Sequence, residues 1–265
     1  MTTISVIGAT GGTGRPLTEM LRADGVDVRA ASRSGEVRFD WYDPATHEAV
    51  LTGADAVYLV APLADLNPMP TVGPFLDRAR EVGLKRLVLL GSLAVLPDTP
   101  TELADTVRAE PGWTVLRPSA FMRNLLGAHP VATRLRERDE LLSASGDGKL
   151  GWIDTEDIAA VARVLLRAEQ VEDEYALTGP EALGFHDLAR ILRERTGRPV
   201  EVAEVGVEEL AAIFRATGMP ADYADRLARY NGAIREESET VTDTVAVTTG
   251  RPPRSFGTFA ELHMV

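Results

Sequence analysis

Short apolar runs alternate with amphipathic segments along most of the chain. The runs have strand length and lack strict alternation, which is typical of parallel strands buried on both faces. The segments between them repeat apolar residues at helical spacing, and several end at a glycine. This alternation predicts a doubly wound, mostly parallel α/β sheet of the Rossmann type. The predicted strands are 4–7, 26–31, 36–41, 56–61, 86–90, 113–116, 151–153 and 174–177.

The point at which the strand–helix alternation stops divides the chain into two regions. Residues 1–180 carry the alternating pattern and are predicted to form a dinucleotide-binding domain. Residues 181–265 are predicted to form a smaller, mainly helical lobe that covers the substrate and could return strands and a helix to the sheet. The loop 62–74 holds four prolines and is expected to be irregular at its start. The predicted helices are 16–24, 43–51, 75–82, 101–109, 158–166, 185–195, 208–217 and 222–230, with a strand at 200–205.

Three glycines directly follow the first predicted strand. Gly8, Gly11 and Gly14 are spaced G-x-x-G-x-x-G, and the sequence becomes helical immediately afterwards. Glycines allow a tight turn and let phosphates approach the backbone, while the helix start offers free N–H groups and the positive end of the helix dipole. The stretch therefore predicts a pyrophosphate-binding loop.

The residue after the second strand predicts which dinucleotide is bound. In such folds, an acidic residue about 20 positions past the glycines binds the ribose 2′-OH, whereas an arginine accepts a 2′-phosphate. Arg33 occupies this position between two serines, and Arg15 could add a second cation. We therefore predict NADP(H) in preference to NAD(H). The alternative is that both arginines are ordinary solvated side chains. Asp40 is a candidate to accept a hydrogen bond from the adenine amino group, or else an ordinary strand-end carboxylate.

The amino-acid composition excludes several classes of binding partner and site. The formal net charge of −12 argues against nonspecific nucleic-acid binding, which needs a basic surface. The absence of cysteine excludes disulfides, thiolate zinc sites and thiol catalysis. The four histidines lie far apart, so no metal site is predicted. No apolar run is long enough to span a bilayer, and the start of the chain does not resemble a signal peptide. We expect a cytoplasmic protein with a small-molecule substrate; the oligomeric state is not predicted.

Taken together, the motifs make the chain similar to the NmrA-like family of atypical short-chain dehydrogenases, which includes quinone reductases, azoreductase-like proteins and ergot-alkaloid reductases. The similarity runs almost end to end. It implies a phosphate loop, a segment beside the adenosine ribose at Val60-Ala61-Pro62, and a segment near the nicotinamide. The implied cofactor residues are Gly8, Thr10, Gly11, Gly12, Thr13, Gly14, Ala61, Pro62, Pro118 and Phe121, to which the position of Ser92 at a strand end adds this serine; the implied substrate pocket holds Phe121, Met122 and Asn124. The alternative for Phe121 and Met122 is an ordinary place in the core, although their position after a strand end and a proline favours the pocket.

The chain departs from the wider superfamily in its acid–base machinery. The usual Tyr-x-x-x-Lys pair follows the fifth strand, where the lysine lowers the tyrosine pKa. Residues 93–108 contain neither tyrosine nor lysine. Ser92 and Asn124 are the remaining polar candidates: a serine can bind the nicotinamide ribose or the substrate, or simply form a turn, and an amide can orient a carbonyl.

Two main hypotheses follow. The first is an NADP(H)-dependent reductase that transfers hydride to a quinone, an imine or iminium, or a carbonyl without a strong protein acid. The second is a redox sensor that binds NADP and a protein partner without turnover. A redox-neutral isomerase or epimerase that keeps its cofactor bound is a third.

Overall fold

The computed structural model describes residues 2–62 and 65–265. Within this part of the chain, seven strands form one sheet in the order β3-β2-β1-β4-β5-β6-β8, and β7 and β9 form a separate two-stranded sheet. The pairs from β1 to β6 are parallel. This is the predicted doubly wound arrangement. The strands are β1 Thr3–Ile7, β2 Asp27–Ser32, β3 Val37–Arg38, β4 Ala56–Val60, β5 Arg86–Leu90, β6 Trp113–Pro118, β7 Glu140–Ser143, β8 Glu174–Leu177 and β9 Glu201–Glu204.

Helices connect the strands and make up most of the chain after β8. They are α1 Gly14–Ala23, α2 Glu48–Leu51, α3 Met69–Glu81, α4 Glu102–Arg108, α5 Pro130–Arg138, α6 Thr155–Leu165, α7 Phe185–Thr196, α8 Val207–Ala216, α9 Ala221–Ala233, α10 Thr244–Thr249 and α11 Phe256–His263, with 3-10 turns at Pro44–Thr46 and Met122–Leu125. None of the helices in the described residues is long and apolar enough to cross a membrane.

Several predicted boundaries were wrong. The third strand has two residues, because beyond Arg38 the chain folds into turns stabilised by the Thr46 hydroxyl. Helix α3 begins at Met69, well before the predicted start, because Pro70 lies in its first turn, where the missing N–H costs no helical bond. Residues 151–153 form no strand, because only Ile153 makes an isolated bridge, to Phe121. Helix α5, strand β7 and the last two helices were not predicted.

The chain divides into two compact units that do not follow a single boundary. The first contains residues 1–92, 98–118 and 155–176, and the second contains 93–97, 119–154 and 177–265. The division near residue 180 into a dinucleotide-binding domain and a substrate-covering lobe therefore stays a prediction.

In the first unit, an apolar core lies between the strands and helices α2, α3 and α4. Its buried members include Ile7, Leu59, Phe75, Leu87 and Trp113. Helix α1 packs against α6. Asp24, at the end of α1, accepts hydrogen bonds from Arg163 of α6 at 2.5 Å and from Arg167 at 2.6 Å, and the Arg163 hydrogen bond lowers the pKa of this carboxyl. These contacts fix the axis of the helix that begins at the glycine loop.

The second unit has its own apolar core. Helices α5, α7, α8, α9 and α11 surround it, and Leu141, Trp152, Leu188, Leu210 and Phe256 are among its buried members. Strand β9 was predicted from alternation at 200–205; it pairs in parallel with β7, in register from Glu140 with Glu201 to Ser143 with Glu204. The second unit is therefore more than a cluster of helices.

Candidate functional site

The glycine loop leaves β1 and enters α1 with almost no free space. Gly8 has a φ of +80°, which a residue with a side chain rarely adopts, and a Cβ there would lie 3.3 Å from Val60. A Cβ on Gly14 would lie 2.2 Å from the carbonyl oxygen of Gly8. The N–H of Gly11 donates to that same oxygen at 2.8 Å. Close contact between the start of α1 and the strand end therefore requires glycine at position 14. Thr10, Gly11 and Gly12 remain exposed on the loop.

A buried tyrosine donates a hydrogen bond to the glycine loop, a contact that was not predicted from the sequence. The hydroxyl of Tyr58 donates to Oγ1 of Thr13 at 3.0 Å. Tyr58 has no exposed surface, and burial raises its pKa strongly, so the phenol keeps its proton and acts as a hydrogen-bond donor. The signal was available, because a phenol in the otherwise aliphatic strand β4 must find a polar partner.

We expect Tyr58→Phe to weaken NADPH binding about three- to tenfold, because one net hydrogen bond contributes about 0.5–1.5 kcal/mol. The phenyl ring keeps the packing of β4 and removes only the donor to Thr13. Isothermal titration with NADPH measures the change. Tyr42→Phe is the matched control, since Tyr42 is 73% exposed. Equal affinity in both variants would show that the Tyr58 hydroxyl does not support the loop.

The end of β2 offers a polar group and a cation that fit a phosphorylated ribose. Oγ of Ser32 is buried and lacks a hydrogen-bond partner in the described part of the chain. The next residue, Arg33, is exposed, and no ion pair is found for it among the described residues. Arg15 lies 4.0 Å from Glu19, at the limit of an ion pair. An anionic dinucleotide bound at the glycine loop would offer a hydrogen-bond partner to the unsatisfied Ser32 hydroxyl and a negative charge to the adjacent Arg33.

The predicted adenosine side is closed by an aromatic cluster. Phe39, Trp41, His47 and Phe75 pack edge-to-face or stacked, and the indole N–H of Trp41 donates to the carbonyl oxygen of Val60 at 3.0 Å. Ala61 and Pro62 follow this carbonyl and are half-buried. One oxygen of Asp40 accepts the N–H of Tyr42 at 3.0 Å, so this carboxylate caps a local turn. Its role toward adenine stays a prediction.

Ser92 and Pro118 lie at the ends of neighbouring strands β5 and β6. The N–H of Gly91 donates to the carbonyl oxygen of Leu116 at 2.8 Å, which keeps the two strand ends together. Ser92 is exposed, and Nε of Arg117 lies 3.4 Å from its carbonyl oxygen. Pro118, the last residue of β6, is buried. The topology therefore brings Ser92 to the carboxyl edge of the sheet, where parallel folds bind ligands.

The predicted substrate residues belong to the second unit. Residues 120–122 are tied to Ile153 by two backbone hydrogen bonds of 2.9 Å. Met122 is buried in the core of this unit, whereas Phe121 and Asn124 are half-buried. Of the three, Phe121 and Asn124 therefore retain surface for a ligand, and their role remains a prediction.

A carboxylate network, which the sequence analysis also missed, fixes the chain just before Phe121. Glu239 accepts hydrogen bonds from the buried Ser119 hydroxyl, from the N–H of Gly151 at 3.0 Å and from the Tyr230 hydroxyl at 2.5 Å. Burial, together with the charge of Glu239, raises the pKa of Tyr230, so the phenol stays protonated and donates. Three donors on one carboxylate anchor the segment around residue 239 to the loop that follows β6.

We expect Glu239→Gln to lower the free energy of unfolding by about 1–3 kcal/mol, because an amide NH₂ would replace one of the acceptor oxygens and face a donor. Chemical denaturation measures the loss. Glu237→Gln, two residues earlier and exposed, removes the same charge and should change stability by less than about 0.5 kcal/mol. Similar small effects in both variants would show that the network is not stabilising.

The sequence is similar to those of known oxidoreductases along almost its whole length. The chain is 38% identical to the uncharacterized oxidoreductase YesF of Bacillus subtilis, over 98% of this chain and 94% of that protein. It is 31% identical to an NAD(P)H azoreductase of Xenophilus azovorans, over 98% and 97%. It is 35% identical to an agroclavine dehydrogenase of Claviceps fusiformis, over 97% and 96%. No protein-family model matches the chain.

Solved structures share the fold at lower identity. A nucleoside-diphosphate-sugar epimerase of Staphylococcus aureus has a TM-score of 0.82 at 19% identity, covering 98% of this chain and 100% of that chain. The Citrobacter sp. triphenylmethane reductase complexed with NADP(H) has a TM-score of 0.77 at 21% identity, with the same coverage. NmrA, a negative transcriptional regulator in complex with NAD, has a TM-score of 0.75 at 16% identity, covering 98% and 94%. These likenesses establish the architecture.

Proposed function

The chain belongs to the NmrA-like family of atypical short-chain dehydrogenases and is an NAD(P)H-dependent reductase, and we propose that it uses NADPH to reduce a small, largely apolar organic acceptor. The proposed preference for NADPH over NADH rests on the residues at the end of β2. There the unsatisfied Ser32 hydroxyl and the exposed Arg33 occur together, and no acidic residue occupies the selecting position. We also propose that the protein is cytoplasmic.

In this proposal, the first unit holds the dinucleotide by its phosphates. Gly11, Gly12 and the start of α1 present backbone N–H groups to the pyrophosphate, and Thr13 is kept in place by Tyr58. Arg33 and Ser32 bind the 2′-phosphate. Ala61 and Pro62, backed by the aromatic cluster, lie beside the adenosine. These roles account for the tight packing at Gly8 and Gly14, which a solvent-exposed turn would not need.

The bound dinucleotide supplies a hydride, two electrons with one proton, to the acceptor carbon or quinone. The chain orients the acceptor and excludes water. For Ser92, in the first unit, we propose a hydrogen bond to the nicotinamide ribose or the acceptor. For the second unit, we propose that the amide of Asn124 donates to a carbonyl oxygen and that Phe121 offers an apolar contact.

The source of the second proton limits the class of acceptor. Tyr58 cannot supply it, because it is buried, its pKa is raised and its hydroxyl is bonded to Thr13. Neither tyrosine nor lysine follows Ser92 in the residues where the pair is usual. Quinones and iminium ions need little or no protonation during hydride transfer, and a quinone product takes its second proton from water. We therefore propose acceptors of these two kinds ahead of simple ketones.

The test is oxidation of NADPH and of NADH, followed at 340 nm with a panel of quinones, iminium compounds and ketones. The expected result is turnover of quinones or iminium compounds with NADPH, slower reaction with NADH, and little with ketones. Tight NADPH binding without oxidation across the whole panel would contradict the reductase proposal and favour a sensor.

A further inference from the structure

One carboxylate oxygen joins two segments of the second unit. Oε2 of Glu239 accepts the hydroxyl of Ser119 and also the N–H of Gly151, the latter at 3.0 Å. The other oxygen, Oε1, accepts the Tyr230 hydroxyl of α9 at 2.5 Å. Ser119 is only 4% exposed, so loss of this partner would leave a buried hydroxyl unsatisfied. Glu239 therefore fixes Ser119 and Gly151 relative to each other through a single atom.

Backbone hydrogen bonds continue this connection into the turn that follows Ser119. The N–H of Ile153 donates to the carbonyl oxygen of Ala120, and the N–H of Met122 donates to that of Ile153, both at 2.9 Å. The turn at 121–125, called the acceptor turn below, begins at the second of these bonds. Because Ser119 comes directly before the bonded residues, a displacement of Ser119 also displaces the start of the acceptor turn.

The acceptor turn presents one free amide. Met122 and Leu125 are three residues apart, so their side chains share one side of this 3-10 turn, and both are buried in the core of the second unit. Asn124 lies on a different side and is half-buried. Its side-chain amide makes no hydrogen bond to the other described residues. The direction of this amide therefore depends on how the backbone of the turn is held.

We propose that Glu239 and Ser119 are positioning residues of the reductase, which hold the acceptor turn so that the Asn124 amide donates to a carbonyl oxygen of the acceptor. The inference rests on the proposed function, in which Asn124 makes this hydrogen bond. Glu239 and Ser119 act without touching the acceptor, because the carboxylate is bonded to three protein donors and the serine is buried. The effect is specific to acceptors with a carbonyl oxygen, such as quinones.

The first test compares kcat/KM for a quinone and for an iminium compound. Ser119→Ala should lower the value for the quinone about three- to tenfold, the usual contribution of one hydrogen bond. The value for the iminium compound should change by less than about twofold, because an iminium nitrogen has no lone pair to accept an amide N–H. NADPH affinity should also stay within about twofold of the wild type, whereas a general loss of structure would lower all three quantities.

Ser238→Ala is the matched control. Ser238 is exposed and directly precedes Glu239, and its hydroxyl accepts the N–H of Lys149 at 3.0 Å. The substitution removes the same atom from the same part of the second unit without removing a donor to Glu239. It should leave kcat/KM for both acceptors unchanged.

Asn124→Ala shows whether the effect passes through the amide. Ser119→Ala added to Asn124→Ala should lower kcat/KM for the quinone by less than about twofold further, because two changes that remove one contact are not additive. Glu239→Ala should reproduce the effect of Ser119→Ala, and thermal unfolding shows whether it is folded at the assay temperature. Ser119→Ala removes a single oxygen atom and decides the question if Glu239→Ala does not fold.

A second readout does not need turnover. The chain contains three asparagines, Asn67, Asn124 and Asn231, so isotope-labelled asparagine gives three side-chain amide signals in NMR spectra, and the signal lost in Asn124→Ala is assigned to that residue. Ser119→Ala should shift the Asn124 signal. The Asn231 signal should stay in place, because its Oδ1 accepts the N–H of Ala144 at 2.6 Å. The control variant of the preceding residue to Glu239 should move neither signal.

An unshifted Asn124 signal and an unchanged quinone kcat/KM in Ser119→Ala would overturn the positioning role. Equal losses for the quinone and the iminium compound would also overturn it, since the substitution would then act on the whole site. If no quinone is reduced, the proposed role of Asn124 in turnover fails, while the asparagine signals still decide whether Ser119 holds its amide in place.

Discussion

Replacing Gly14 by alanine is expected to weaken dinucleotide binding more than about 100-fold, the largest effect we expect of any single change, because small displacements of a binding group carry losses of this size. The added Cβ would lie 2.2 Å from the Gly8 oxygen and 2.7 Å from its carbon. Both are backbone atoms that cannot rotate away, so α1 or the loop must move. The free energy of unfolding should fall by about 1–3 kcal/mol, as for overpacked sites. Calorimetry with NADPH and chemical denaturation measure the two effects.

Gly206→Ala is the matched control for this change. It adds the same methyl group at a glycine where no heavy atom lies within 4 Å. It should leave NADPH affinity unchanged, and because Gly206 is the N-cap of α8, where alanine is less favourable than glycine, it should lower the free energy of unfolding by no more than about 1 kcal/mol. If Gly14→Ala binds NADPH as well as this control, the loop does not contact the phosphates in the way we propose.

Replacing Arg33 by alanine is expected to weaken NADPH binding about 10- to 100-fold, because a charged hydrogen bond contributes about 1.5–3 kcal/mol. The 2′-phosphate is the only chemical difference between the two dinucleotides, so NADH affinity should change by less than about threefold. Direct titration of both cofactors gives the ratio. Raising the salt concentration should reduce the preference of the wild type, since Arg33 is exposed.

Arg78→Ala removes the same charge from the same unit and serves as the control. Arg78 lies on α3 and pairs with Glu48 at 3.0 Å and with Glu81 at 2.9 Å. It should leave the ratio of NADPH to NADH affinity as it is in the wild type. Equal losses for both dinucleotides in Arg33→Ala would refute NADP selection by this arginine.

The buried strands of the sheet were the most predictable part of the fold. Strand β5 begins and ends at the predicted residues, because its apolar run at 87–90 is buried and is followed by Gly91. Strand β8 also has the predicted bounds, although most of its residues are only half-buried. Helix α3 was harder to predict, since Pro70 lies in its first turn and Pro74 lies inside the helix, and both look like helix breakers in the sequence. Strand β7 was missed because its partner β9 lies about 60 residues away and the four-residue run carries no local signal.

In the candidate site, too, features set by local spacing could be predicted, and contacts between distant residues could not. The tight geometry of the glycine loop could be predicted because it depends on local spacing, whereas the role of Arg33 stays a prediction. The Tyr58–Thr13 contact could have been expected from a phenol in a buried strand. The Glu239 network could not, because Ser119 and Glu239 are 120 residues apart and an acidic residue near a chain end is usually solvated. Contacts of this kind are set by tertiary packing.

The interleaving of the two units has a consequence for synthesis on the ribosome. Residues 119–154 emerge early, but their packing partners in the second unit lie after residue 177. Until helices α7 to α11 leave the exit tunnel, α5 and β7 can pack only against each other and the neighbouring segment, and the apolar surface that those helices cover stays exposed to chaperones or to aggregation. Contacts over such long sequence separations also slow folding. The second unit can therefore become native only after residues 177–265 have been translated.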